Sequence, residues 1–229
     1  MTPRLSVVAF VALVACAPGR RVTAHDGSVA EHERAAEYND ELAATHADAA
    51  AKAEPCGDAP GIYEICWTRS DTPSAHTAMA QRHRQWAEVH RRAAEELREA
   101  EAAACEGVTE GDRDTSPFQR TADIAQVEVL RGETGDDPSL VPVARVTFRD
   151  VARMDAERLD HILGCHIARN AALGHEVPHM NDCPLVPKGV HAATASTPTG
   201  VVVTISAPQA SLVEVTSRAE ALRRRLGQD

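Results

Sequence analysis

Two stretches of this chain, residues 29–54 and 74–105, contain neither glycine nor proline, and the second repeats the first at an offset of 44 residues. Leu42-Ala43-Ala44-Thr45-His46 and Ala49-Ala50 align with Trp86-Ala87-Glu88-Val89-His90 and Ala93-Ala94. Both stretches are dense in Ala, Glu and Arg, the composition of long surface helices. Between them, Pro55-Cys56-Gly57-Asp58-Ala59-Pro60-Gly61 is a cluster of helix breakers. Two helices joined by so short a connection most economically fold back on each other, which predicts an antiparallel hairpin over residues 29–107.

The repeat also aligns His32 with His76, Asn39 with His83 and His46 with His90. Each helix thus carries imidazole or amide groups every seven residues: His25, His32, Asn39 and His46 in one row, His76, His83 and His90 in the other. Beside the rows run apolar heptad positions: Ala35, Leu42 and Ala49 with Ala36, Ala43 and Ala50, then Met79, Trp86 and Ala93 with Ala80, Ala87 and Ala94. This is the pattern of a close-packed coiled-coil seam with His where Leu normally sits. Trp86 is expected to be the largest core contributor of the second helix.

Chelation along one helix needs ligands three or four residues apart. Those positions hold mostly Ala, Trp or Met, and residues seven apart stand roughly 10.5 Å apart along the axis. A metal site using His32, His46, His76, His83 or His90 therefore has to be assembled across helices or between molecules. The rows also admit a pH-responsive seam, since unperturbed His titrates near 6.5, or plain half-exposed histidines beside a helical interface.

Only seven of the 229 residues are Phe, Trp or Tyr, so the core must come from smaller side chains in close contact. A formal charge of −10 without a basic stripe argues against nucleic acid as a partner and disfavours anionic lipid surfaces. No G-x-S-x-G, Walker, dinucleotide-binding Gly cluster or H-E-x-x-H pattern occurs, and no cofactor is implied. Asp136-Asp137 in a Gly-flanked loop reads as a turn with at most weak cation affinity.

Arg4 precedes an apolar run over residues 5–14 that is too short to span a bilayer, the pattern of an export signal. Its end, Leu13-Val14-Ala15-Cys16, resembles the lipobox of bacterial lipoproteins. That resemblance, confined to the signal, implies removal of residues 1–15 and diacylation of Cys16, which anchors the chain without spanning the membrane. Ala17 stands where the family's inner-membrane retention signal carries Asp, so the resemblance implies the periplasmic face of the outer membrane. The Gly, Pro and Arg content of residues 16–28 reads as a flexible tether, and loss of Arg4 would take the charge to −11.

Residues 116–229 read as a separate α+β domain. Alternating runs at 124–130 and 141–148, a helix capped by Asp155 and closed by Gly174, a hairpin around Pro198-Thr199-Gly200, and a last amphipathic helix through Leu212, Val215, Ala219, Leu222 and Leu226 give β-β-α-β-β-α. Two helices on one face of an antiparallel four-stranded sheet is the simplest packing. In an exported chain Cys165 and Cys183 read as a disulfide, as do Cys56 and Cys66 within the interhelix connection. Cys105 is left over, free or intermolecular, or a sign that the hairpin is not as drawn. His175, His179 and Cys183 offer a metal alternative at four-residue spacing, but Pro178 interrupts the helix it needs. The functional expectation is a noncatalytic, lipid-anchored envelope protein with a binding or structural role. It would meet an envelope partner or associate with itself through its helices. The alternative is a periplasmic metal- or pH-responsive lipoprotein using the histidine rows.

Overall fold

The computed structural model describes residues 27–53, 72–130, 139–152 and 154–228. It shows an α+β chain in which a two-helix hairpin precedes a sheet domain. Helix α1, Val29–Lys52, starts in a capping box: Ser28 Oγ accepts from Glu31 N at 3.2 Å while Glu31 Oε2 accepts from Ser28 N at 2.7 Å. Helix α2, Pro73–Ala104, is capped by Thr72 and carries Pro73 in its first turn, where a missing N–H costs nothing. The two pack antiparallel with Ala36, Ala43, Ala80, Ala87, Ala93 and Ala94 buried. Alanine lets two helix axes approach closely, so many weak dispersion contacts replace the burial of large side chains. None of the described helices is long and apolar enough to cross a membrane.

A short helix α3, Glu110–Asp114, leads into the sheet domain. Strands β1, Ile124–Val129, β2, Val141–Arg149, β3, His191–Thr197, and β4, Gly200–Ala207, form one antiparallel sheet in the order β1-β2-β4-β3. Ala144, Val146 and Phe148 face inward, and their neighbours Val201, Val203 and Ile205 extend the same apolar layer. Helix α4, Ala156–Ala172, rests on β3, and helix α5, Leu212–Arg225, on β1 and β2. Leu159 and Leu163 of α4 and Val215 and Leu222 of α5 share a single core with the sheet, which places both helices on one face as the pattern predicts. Gly200, at φ +140°, is obligatory in the β3–β4 turn because a Cβ there would lie 2.0 Å from the Phe148 carbonyl oxygen.

The hairpin and the sheet domain meet along α2 and α4. Arg169 of α4 binds Glu101 of α2 and Asp114 of α3, each at 3.0 Å. Gly174, at φ +72°, closes α4 so tightly against the start of α1 that a Cβ would lie 2.9 Å from Ser28 N and Cβ. The disulfide at this junction differs from the expected one. Cys165 pairs with Cys105, the C-cap of α2, at S–S 2.02 Å and Cα–Cα 4.5 Å. Cys183 is the free partner, 3% exposed in the domain core with its Sγ 3.3 Å from Ser116 Oγ. Nearness in sequence favoured Cys165–Cys183, whereas packing of α2 on α4 brings together cysteines 60 positions apart. Cys56 and Cys66 lie outside the described residues.

Closing a loop of this length contributes about 4 kcal/mol in the chain-entropy account. Replacing Cys165 by Ala is expected to lower the denaturation midpoint accordingly, and a peptide map should link Cys105 to Cys165 while Cys183 alkylates only after unfolding. A Cys165–Cys183 peptide would refute the pairing.

Candidate functional site

The histidine rows meet each other across the helical interface, with His32, Asn39 and His90 buried and His46, His76 and His83 half-buried. Three rungs connect the helices, each step of seven forward in α1 meeting a step of seven backward in α2. His32 Nδ1 faces His90 Nδ1 at 3.1 Å, His83 Nδ1 donates to Asn39 Oδ1 at 2.9 Å, and His46 Nδ1 faces His76 Nδ1 at 3.1 Å. Asn39 completes its amide by donating from Nδ2 to the Ala35 carbonyl at 2.8 Å. The rings of His46 and His83 stack with centroids 5.6 Å apart and planes 9° from parallel. Buried alanines from both helices separate the rungs, so imidazole and alanine layers alternate along the seam.

Each His–His rung imposes a proton rule, since a bond between two Nδ1 atoms needs one to carry hydrogen and the other to present a lone pair. Two neutral rings in opposite tautomers satisfy it. A first added proton leaves the bond intact as a charge-assisted one, and a second places two N–H groups head to head. Burial lowers the pKa of His32 and of His90, with His90 lowering His32 further and Glu31 opposing. Burial, then His46 and Arg82, lower that of His83.

The flanks of the seam are unlike. One is clasped by ion pairs, Asp40–Arg91 and Glu33–Arg98. Trp86, expected in the core, is 53% exposed instead, and Met79 is 36% exposed. Alanine brings the helices so close that only side chains directly between them are covered, and Trp86 is too large to enter such a seam.

The remaining candidates of the C-terminal domain do not converge. His175 Nδ1 donates to the Val186 carbonyl at 2.7 Å, His179 is exposed, and burial pushes the Cys183 thiol up, which keeps it neutral. Among the described residues no group of three or more His, Cys, Asp or Glu side chains is placed to hold one metal ion. His25, Cys16 and Asp136-Asp137 lie outside the described residues.

A second polar cluster, around Asp112 of α3, has no sequence signature because it forms only where two separate stretches, residues 109–120 and α4, pack together. The Asp112 carboxylate accepts from Arg120, from Arg158 at 2.9 Å and from Thr109 at 3.0 Å. These bonds, led by Arg120, hold its pKa below the usual carboxylate value against the opposing effect of burial. His166 of α4 donates from Nε2 to the carbonyls of Asp112 and Thr115 at 3.0 and 2.9 Å, while burial lowers its pKa. The cluster ties α3 to α4 and serves the fold.

No protein-family model, curated protein or solved structure matches the chain.

Two outcomes follow for stability. His32→Leu leaves the buried His90 ring without its partner and is expected to cost about 1–3 kcal/mol, whereas His32→Leu with His90→Leu removes both polar groups and should recover most of that loss; a double-mutant cycle in urea checks the non-additivity. A histidine whose pKa is lowered by folding contributes stability that is full above about pH 6.5 and is lost as pH falls through the lowered value. Substituting His166→Gln, which keeps a donor to the same carbonyls but does not titrate, should therefore flatten the stability–pH curve below pH 6.5 by up to about 1.4 kcal/mol per pH unit. The Asp112 contribution falls only below its ordinary value of 3.8, and an unchanged slope between pH 5 and 6.5 in the Gln variant would contradict the assignment.

Proposed function

We propose that the chain is a noncatalytic, lipid-anchored protein of the bacterial cell envelope, in which a compact α+β domain carries a stiff helical arm for binding or spacing. The observation that carries this reading is the Cys105–Cys165 disulfide, which joins the arm to the domain covalently. A structural disulfide belongs to an oxidising compartment outside the cytoplasm, in keeping with the export signal and the Leu13-Val14-Ala15-Cys16 lipobox. Dual acylation at Cys16 supplies stable membrane attachment to an acidic chain whose charge gives it no attraction to anionic lipid. The arm stands off the domain at the junction formed by Cys105, Arg169 and Gly174. Its long, regular sides, one closed by ion pairs and the other exposing Trp86, suit lateral contact with an envelope partner or a second copy.

In a bacterial host the wild-type chain should fractionate with the outer membrane and incorporate labelled fatty acid, while Cys16→Ser should lose the label and retain its signal segment. Wild-type protein found in the soluble fraction without label would overturn the proposal.

A further inference from the structure

A hydrogen bond between two imidazole Nδ1 atoms and a two-coordinate metal between the same atoms share one geometry, with both lone pairs directed along one line. We infer that the His32–His90 and His46–His76 rungs each bind one soft monovalent cation, Cu(I) or Ag(I), in linear two-nitrogen coordination. The inference concerns the hairpin alone and holds whether or not Cys16 is lipidated.

The distances favour replacement of the bridging proton. The facing nitrogens are 3.1 Å apart in both rungs, and two metal–imidazole bonds of about 2 Å each need a separation only roughly 1 Å larger. Ala36, Ala43, Ala80 and Ala87 beside the rungs present no bulky side chain that would resist a small rotation of the rings. The donor set selects the ion. Tetrahedral Zn(II) needs more protein ligands than two, and no cluster of three or more His, Cys, Asp or Glu ligands exists among the described residues. Divalent ions that complete their shells with water are further disfavoured at the first rung, where His32 and His90 are 1% and 6% exposed. At the other rung Met79 stands three residues after His76 and four before His83, placing a soft thioether on the flank of the same turns.

Binding balances without redox chemistry. A neutral rung holds one Nδ1–H and one Nε2–H; on metal binding the Nδ1 proton is lost to solvent and an equal proton is gained at Nε2 of that ring. Both rings are then neutral Nε2–H tautomers, and the rung gains the single charge of the ion. Asn39 in the middle rung replaces the second imidazole and leaves no site there. The two bound cations are thereby kept fourteen residues apart, about 21 Å along the axis, where their repulsion is largely screened.

Titration of the full chain, labelled with 15N-histidine and with its accessible thiols alkylated, by Ag(I) as a redox-inert probe tests the site directly. The Nδ1 resonances of His32, His90, His46 and His76 should move at a stoichiometry of two ions per chain, with His83, His166 and His175 unmoved and Zn(II) producing no such change. His32→Asn places the amide on α1 as in the natural Asn39–His83 rung and should keep the helicity while lowering the stoichiometry from two to one; His46→Asn should do the same at the other end. Nδ1 resonances unmoved by Ag(I), an equal response to Zn(II), or a stoichiometry of two persisting in both Asn variants would overturn the inference.

Discussion

Close approach of two alanine-lined helices governs the hairpin. Where Leu or Ile would hold the axes apart, Ala36, Ala43, Ala80, Ala87 and Ala94 let them draw together until groups at the heptad positions touch. At that separation the facing imidazoles bond to one another across the seam. The cost of burying a polar ring is offset only when its nitrogen finds a partner, which makes the three rungs and the alanine layers mutually dependent. Antiparallel register follows from the same requirement, because a shift by one heptad would set Asn39 against His90 or His76 and leave other rings unmatched.

The two parts of the chain are stabilised by different physics. In the sheet domain Phe118, Ile124, Leu159, Leu163, Leu185, Ile205 and Leu222 form an ordinary apolar core. Among the described residues the hairpin has no buried aliphatic or aromatic side chain larger than alanine, and the most completely buried large side chain there is His32. Its attachment to the domain therefore matters more than its own core. Cys105–Cys165, the Arg169 ion pairs and the contact of Gly174 with Ser28 gather at one end of the hairpin and fix its direction. Away from that end the arm exposes Trp86 and Met79.

Similar polar chemistry serves different roles in the two parts of the chain. His166 and Asp112 are buried and strongly bonded, yet their bonds stay within α3 and its neighbouring turns or join these to α4 and Arg120. The ladder histidines spend their bonds on one another and on Asn39, across the seam between α1 and α2. Cys183 illustrates the opposite case: a thiol placed for packing, with burial keeping it neutral.

The long helices and the strands, with their order, are legible in the residues alone; the short α3 is not. Periodicity, breakers and caps act within a few residues, so the glycine-free repeat predicts both long helices, Asp155 marks the start of α4, and alternation along residues 141–148 assigns the inward side chains of β2. The seven-residue spacing placed each histidine row on one helical stripe. Whether the rows faced each other, and at what distance, depended on the interaxial separation, which sums the volumes of many side chains and has no local code. Trp86 shows the limit: its heptad position suited a core, but a gap set by alanine excluded it. The disulfide shows it again, since spacing along the chain pointed to Cys183, and only the packing of α2 on α4 brought Cys105 to Cys165. Local rules name the elements because their causes are local; pairing is decided where elements meet, because distance in space is a property of the whole packed chain.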